Sequence, residues 1–155
     1  LRAMGCKIDV MGDMVVVRER AKLRAAELDL NATPDLLPIL AVVAACAEGT
    51  TILKNVPQAR IKETDRIDVM AAELAKMGVK VTQFEDGMSI VGGPIQPARV
   101  DSRRDHRVAM ALAVAGLAAA NKDDFTVIDD AECCAVTYPS FLADFQSLGA
   151  EFYEL

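Results

Sequence analysis

Residues 1–17 read Leu1-Arg-Ala-Met-Gly5-Cys-Lys-Ile-Asp-Val-Met-Gly-Asp13-Met-Val-Val-Val17, and a similar phrase recurs as Leu74-Ala-Lys-Met-Gly78-Val-Lys-Val-Thr-Gln-Phe-Glu-Asp86-Gly-Met-Ser-Ile-Val91. A third copy begins at Gln146-Ser-Leu-Gly149. Its glycine lies 71 residues after Gly78, which itself lies 73 residues after Gly5. Spacing this regular indicates that the chain reuses a folding unit of roughly seventy residues.

Other landmarks keep the same spacing. Leu28-Asp29 corresponds to Val100-Asp101, and Asp35-Leu-Leu-Pro corresponds to Asp105-His-Arg-Val. Within a unit, the pattern predicts a strand ending in aspartate, an apolar helix, a β-branched strand, an amphipathic helix and a hairpin, in the order βαβαββ. The predicted helices are 35–47, 64–77 and 106–120 with a last one around Tyr138, Phe141, Phe145 and Leu148, and the strands include 50–56, 80–83, 88–91 and 125–128.

The hydrophobic pattern also predicts how the units pack. The first helix of each unit is apolar nearly all round and must be buried, whereas the second is amphipathic and should cover the outside. We therefore predict an α+β fold of repeated βαβαββ units packed around buried helices.

The repeat predicts a division of the chain. We expect the 155 residues to form a single domain. Leu1 is not a native start and the first unit has no front half, so we expect the parent protein to extend upstream. The last unit lacks its closing strand, which either Met14–Val17 or the upstream chain would supply. The predicted parts are the tail of a preceding unit at 1–23, one full unit at 24–93 and a second, C-terminal unit at 94–155.

Composition argues against several classes of protein. The longest apolar stretch, Val108 to Ala120, is far shorter than the ~20 residues of a membrane span, so we expect no membrane partner. A formal net charge of -6 repels a phosphate backbone, so we expect no nucleic-acid partner. Four cysteines without C-x-x-C spacing and a single histidine argue against a zinc site and favour reduced thiols in the cytoplasm.

Charged residues are concentrated at two predicted helix starts. They are Arg60-Ile-Lys62-Glu63-Thr64-Asp65-Arg66 and Arg103-Arg104-Asp105-His106-Arg107. Free N–H groups at a helix start favour anions, and an arginine there adds a bidentate grip on phosphate or carboxylate. The alternative is a solvated first turn with local ion pairs such as Glu63 with Arg66.

Two carboxylates are candidates for proton transfer. Asp29 ends a strand before a buried helix, where removal from water would raise its pKa toward neutrality. Asp101 occupies the same place in the next unit, so a helix-capping or turn role is an alternative for both aspartates. Glu63 is the second candidate acid or base.

Three segments carry a specific family resemblance. They are Asp29-Leu-Asn31-Ala-Thr-Pro34-Asp35, Lys62-Glu63-Thr64-Asp65-Arg66 and Asp105-His106-Arg107-Val-Ala109-Met110-Ala111. In order and spacing they are similar to three consecutive signatures of the EPSP synthase family of enolpyruvyl transferases, and the resemblance covers residues 1–148. It implies two similar domains of three βαβαββ units each. This chain is then a fragment of the C-terminal domain, and the N-terminal domain is missing.

The resemblance also implies a reaction in the shikimate pathway of aromatic amino acid biosynthesis. The enolpyruvyl group of phosphoenolpyruvate passes to the 5-hydroxyl of shikimate 3-phosphate and phosphate is released, with no metal or organic cofactor. Asp29 and Glu63 match the carboxylates that handle the hydroxyl and methylene protons, in an order that the sequence leaves open. Arg66 and Arg107 match the arginines that grip phosphoenolpyruvate. The other candidate substrate-binding residues are Lys62, Gln58 and His106.

The chain departs from the family pattern at Val136. A lysine is usual there, in C-x-x-K-T-[FY]-P, but this chain reads Cys133-Cys-Ala-Val136-Thr-Tyr-Pro139, and Gln58 replaces a common asparagine. Val136 favours one alternative, a non-catalytic anion-binding module. The other is a UDP-N-acetylglucosamine enolpyruvyl transferase, against which the K-E-T-D-R and D-H-R runs argue. Because the family site lies between two domains, we expect no turnover from this chain alone.

Overall fold

The computed structural model describes residues 1–18, 22–119 and 124–153, so the predicted helix end at residue 120 lies outside the described residues. The chain begins with a hairpin of strands β1 (Ile8–Met11) and β2 (Met14–Val17). No helix in the described part of the chain is long and apolar enough to cross a membrane.

The next six elements confirm the predicted order βαβαββ. The elements are β3 (Glu27–Asp29), α1 (Leu37–Ala45), β4 (Thr50–Lys54), α2 (Arg66–Lys76), β5 (Lys80–Phe84) and β6 (Gly87–Val91). Strands β3 and β4 pair in parallel, and the antiparallel strands β6 and β5 extend the sheet in the order β3-β4-β6-β5. Helix α2 stops at Gly78, whose φ of 80° is the left-handed conformation expected of a helix-ending glycine.

The following unit repeats the first part of this order. The elements are β7 (Arg99–Asp101), α3 (His106–Leu117), β8 (Val127–Asp129) and α4 (Phe141–Ser147). Strands β7 and β8 pair in parallel with Val100 opposite Ile128, as β3 and β4 do with Leu28 opposite Leu53. A 3-10 segment at Ala131–Val136 precedes the last helix.

The core forms where the first helices of the two units pack against each other, as predicted. Ala41 of α1 and Leu112 and Ala115 of α3 are fully buried in this core. Helix α2 contributes Ile67 and Leu74 from one face only. This packing brings the start of α3 next to the start of α2.

Two predictions about local structure are wrong. Of the two expected sources of the closing strand, Met14–Val17 is wrong: it pairs with Ile8–Met11, and within the described residues it does not close the last unit. The predicted helix at 35–47 begins as a 3-10 turn at Pro34–Leu36, and the α-helix begins only at Leu37. Pro38 explains the shift, because a proline lacks an N–H and is tolerated only in the first turn of an α-helix.

Candidate active site

Two capping aspartates begin the two charged helices. The Asp65 side chain accepts a hydrogen bond from the backbone N–H of Asp68 (3.0 Å) at the start of α2. The Asp105 side chain accepts from the backbone N–H groups of Arg107 (2.9 Å) and Val108 (3.4 Å) at the start of α3. Each cap holds its helix start in place, so the charged residues beside it occupy fixed positions.

Arg66 joins the two helix starts. It is fully buried, and its Nε and Nη2 donate to the Asp105 carboxylate at 2.7 and 3.2 Å. Nη1 donates to Asp35 Oδ1 (2.8 Å), and Nη2 also donates to Glu63 Oε2 (2.6 Å). The expected ion pair between Glu63 and Arg66 is therefore present. The alternative that Arg66 lies in a solvated first turn is wrong, because three carboxylates take the place of water around its guanidinium.

Asp35 is shared by three cationic side chains. Its Oδ1 lies 3.3 Å from Lys62 Nζ and 2.8 Å from Arg66 Nη1, and its Oδ2 lies 3.3 Å from Arg107 Nη2. The two arginines that the sequence singles out thus face the same carboxylate, although they are 41 positions apart in the sequence. Lys62 belongs to the same group.

The pKa values of two aspartates reflect these contacts. Burial alone would raise the pKa of Asp105, but hydrogen bonds and charge from Arg66 and the helix N–H groups hold it below its usual value. Burial also opposes ionisation of Asp35, and hydrogen bonds from Lys62 and Arg66 with the charge of Arg107 lower its pKa in the same way. Both carboxylates are therefore negative at neutral pH.

Glu63 and His106 complete the group. Glu63 Oε1 lies 3.9 Å from Nδ1 of His106, while its other oxygen accepts from Arg66. The His106 ring is buried, whereas the Glu63 side chain is about half exposed. A carboxylate placed between a guanidinium and an imidazole, with access to solvent, can accept or donate a proton to a bound molecule. We call Asp35, Lys62, Glu63, Arg66, Asp105, His106 and Arg107 the Arg66 cluster.

Asp29 lies in a separate hydrogen-bonded group. It accepts from the backbone N–H of Asn31 (3.0 Å) and from Nδ2 of Asn55 (2.6 Å). Gln58 joins this group by donating from Nε2 to Asn31 Oδ1 (3.0 Å). The hydrogen bonds found for Asp29 in the described residues go to Asn31 and Asn55 rather than to the Arg66 cluster. The group borders a surface pocket of about 310 Å³ lined by Asp29, Asn31, Asn55, Pro57 and Asp86.

The predicted rise in the pKa of Asp29 is wrong. Hydrogen bonds from Asn31 and Asn55 stabilise the carboxylate, and they lower its pKa below the usual value. The strand does end where predicted, but its last side chain is exposed to solvent. Asp29 is therefore ionised at neutral pH and can accept a proton but holds none to give.

Sequence reasoning missed two residues that organise these groups. Asp35 matches Asp105 in the repeat, and that correspondence is the signal that could have marked it. Asn55 has a left-handed backbone (φ 58°), and its N–H lies 3.3 Å from Asp86 Oδ2, which fixes the amide that holds Asp29. An asparagine directly after a strand is common in turns, so the sequence carried only a weak signal for it.

Val136 lies outside the ion pairs of the Arg66 cluster. It ends the 3-10 segment before α4, and 75% of it is exposed.

Across residues 1–18, 22–119 and 124–153, no group of three or more His, Cys, Asp or Glu side chains is arranged to hold a metal ion.

Repeated units around buried helices define the enolpyruvyl transferase class. The chain is similar over 94% of its length to an EPSP synthase from Acinetobacter baumannii, with a TM-score of 0.85 and 30% identity, and it covers 37% of that chain. It is similar over 97% of its length to the enolpyruvyl transferase NikO from Streptomyces tendae, with a TM-score of 0.80 and 26% identity, and it covers 34% of that chain.

Sequence comparison narrows the class to a family. The family profile for EPSP synthase (3-phosphoshikimate 1-carboxyvinyltransferase) matches residues 1–145, and the chain belongs to this family. A 3-phosphoshikimate 1-carboxyvinyltransferase from Methanocella arvoryzae is 50% identical over 141 residues, which are 91% of this chain and 32% of the relative. The chain thus spans about a third of the length of the curated relatives it matches.

Proposed function

We propose that this chain is a fragment of the C-terminal domain of a 3-phosphoshikimate 1-carboxyvinyltransferase in the cytoplasm. The reaction transfers the enolpyruvyl group of phosphoenolpyruvate to the 5-hydroxyl of shikimate 3-phosphate and releases phosphate. The observation that carries the proposal is the meeting of the K-E-T-D-R and D-H-R segments around Arg66, which joins the starts of α2 and α3. Both proposed substrates are anions, and such helix starts favour anions.

The cations of the Arg66 cluster would hold the donor. Asp105 fixes the Arg66 guanidinium, while Lys62 and Arg107 pair with Asp35 and are partly exposed, so a ligand can reach them from solvent. Arginine is suited to this task because its planar fork of N–H groups matches a carboxylate or a phosphate. Fixed cations lower the barrier because they need no reorganisation when charge shifts in the donor.

The carboxylates would move the protons. Glu63, placed between Arg66 and His106, is a candidate to take up a proton and deliver it to the methylene carbon of phosphoenolpyruvate, which leaves cationic character on the neighbouring carbon. The shikimate hydroxyl oxygen then bonds to that carbon, and the ionised Asp29 is a candidate to accept the hydroxyl proton. When the C–O bond to phosphate breaks, the departing phosphate takes up the proton held by Asp29. A methyl proton returns to Glu63, which restores the double bond. Gln58 and His106 would contact substrate beside these groups.

A chimera tests the proposal. In the Methanocella arvoryzae relative, the 141 matched residues are replaced by those of this chain, and phosphate release from phosphoenolpyruvate is measured with shikimate 3-phosphate as acceptor. We expect turnover by the chimera and none by the isolated chain, since the site would need a second domain. A folded chimera without turnover contradicts the proposal, as does turnover by the chain alone.

The same assay separates the two alternatives. A folded chimera that turns over only with UDP-N-acetylglucosamine as acceptor would make the chain part of the cell-wall enzyme class. A chimera that binds phosphoenolpyruvate but releases no phosphate would support the non-catalytic module, which the exposed Val136 favours. Arg107→Ala in the chimera is the matched control, and we expect it to raise KM for phosphoenolpyruvate.

A further inference from the structure

The charges of the Arg66 cluster balance without any ligand. Three cationic side chains (Lys62, Arg66 and Arg107) contact three carboxylates (Asp35, Glu63 and Asp105). A site that is already neutral attracts an incoming anion only weakly, because each cation has a counter-ion within contact distance. An anion gains the full attraction of the cluster only if one of these carboxylates withdraws.

The three carboxylates differ in how firmly they are held. Asp105 is fully buried and receives hydrogen bonds from Arg66, from two helix N–H groups and from the Thr64 hydroxyl (3.2 Å). Withdrawing it would break the cap of α3. Glu63 lies against Arg66 and His106 and not against Lys62 or Arg107 in the ion pairs of the described residues.

Asp35 combines the properties of a displaceable group. It alone of the three contacts every cation of the cluster, and 42% of its side chain is exposed. The hydrogen bonds found for the Asp35 carboxylate in the described residues come from the side chains of Arg66 and Lys62 and not from backbone N–H groups of its own 3-10 turn. Rotating it toward water exchanges its ion pairs for hydration, and an incoming anion can take over the contact with the buried Arg66.

We propose that Asp35 is an internal counter-ion that occupies the place of the substrate anion until the anion displaces it from Lys62, Arg66 and Arg107. This inference rests on the proposed anion-binding function of the cluster. Asp35 keeps three cations close together in the absence of ligand, when their mutual repulsion would otherwise spread them. The consequence is competition, because every anion that binds must first replace the Asp35 carboxylate.

Phosphate binding to the 155-residue chain tests the proposal. Inorganic phosphate is titrated into the wild-type chain and into Asp35→Asn, which keeps the shape of the side chain and removes its charge. Glu63→Gln is the matched control, since it removes one negative charge from the same cluster but leaves Asp35 on its three cations. We expect Asp35→Asn to bind phosphate roughly tenfold more tightly than wild type, the size expected for one charged hydrogen bond.

The control decides whether the gain comes from displacement. If Glu63→Gln gains as much affinity as Asp35→Asn, the effect is one of net charge and the proposal fails. Weaker phosphate binding by Asp35→Asn also overturns the proposal, because that result would mean that Asp35 helps to hold the anion and does not compete with it. Absence of phosphate binding in both the wild-type chain and Asp35→Asn overturns it as well.

A second measurement needs no variant. The side-chain carboxyl carbon of Asp35 is followed by ¹³C NMR through an acid titration, with and without saturating phosphate. We expect phosphate to raise the pKa of Asp35 toward its usual range, because the carboxylate loses its three cations, while the pKa of Asp29 serves as an internal reference. An Asp35 pKa that stays low in phosphate overturns the proposal. Failure of either test leaves the chimera assay unaffected, so it is distinguishable from failure of the proposed transferase function.

Discussion

Asp35 and Asp105 occupy corresponding places in successive units, and both bind the guanidinium of Arg66, yet their surroundings differ. Asp105 is fully buried, caps α3 and accepts two hydrogen bonds from Arg66. Asp35 lies in a 3-10 turn, is partly exposed and accepts one hydrogen bond from Arg66. One repeat position thus provides a fixed anchor in one unit and a movable counter-ion in the other.

The difference shows how a repeat can build an asymmetric site. Pro38 delays the start of α1, so Asp35 falls before the helix, whereas Asp105 stands directly at the cap of α3. A carboxylate that caps a helix is held by backbone N–H groups, and one that precedes it is held by side chains alone. A shift of a few residues in the helix start therefore decides which aspartate is free to move.

Removing the fixed anchor should have the largest effect. Asp105→Ala leaves the buried Arg66 without its main partner and α3 without its cap, so we expect the free energy of unfolding to fall by about 3–5 kcal/mol. Urea denaturation measures this loss. Asp65→Ala, which removes the cap of α2, is the control and should cost about 1 kcal/mol. A loss for Asp105→Ala no larger than that of the control would contradict the anchor role.

The pH dependence of stability should follow the same contrast. The pKa of Asp105 is lower in the folded chain than its ordinary value of 3.8, so the unfolded state binds more protons in acid. The stabilisation is present above this ordinary value and is lost as pH falls through the folded pKa. Urea denaturation at a series of acid pH values should show that the free energy of unfolding falls less steeply with decreasing pH for Asp105→Asn than for wild type. Equal slopes would argue against an ion-paired Asp105 carboxylate.

Neutralising the movable aspartate should affect stability only slightly. Because the Asp35 side chain is more than a third exposed, we expect Asp35→Asn to change the free energy of unfolding by about 1 kcal/mol or less. The same urea denaturation measures it beside Asp105→Ala. A loss as large as that of Asp105→Ala would show that Asp35 is a second anchor, and the contrast between the two units would disappear.

The smallest effect on stability is expected at Val136. This residue precedes the second helix of its unit, as Lys62 precedes the second helix of the preceding unit. Because Val136 is exposed, Val136→Lys should change the free energy of unfolding by no more than about 0.5 kcal/mol. In the chimera, we expect the added cation to lower KM for phosphoenolpyruvate. An unchanged KM would show that position 136 lies too far from the donor to matter.

Much of the fold could be predicted from sequence because the repeat and the hydrophobic pattern are local signals. The order βαβαββ, the burial of α1 and α3 and the end of α2 at Gly78 follow from them. The repeat predicts the pairing of Met14–Val17 with Ile8–Met11, because residues 1–17 match the hairpin at 74–91. Which sheet edge this hairpin meets could not be predicted, since an exposed strand edge fits several partners. The roles of Asp29 and Glu63 remain predictions.

By itself, the sequence determined the units, their order and the residue types that stand at the helix starts. Only the tertiary structure decided that Arg66 is buried among carboxylates, that Asp29 is exposed and ionised, and that Asp35 faces three cations. The physical reason is that burial and pairing depend on residues far apart in the chain. Arg66 pairs with Asp35, which is 31 positions away in the sequence, and with Asp105, which is 39 positions away. No local sequence pattern indicates which charged side chains will pair.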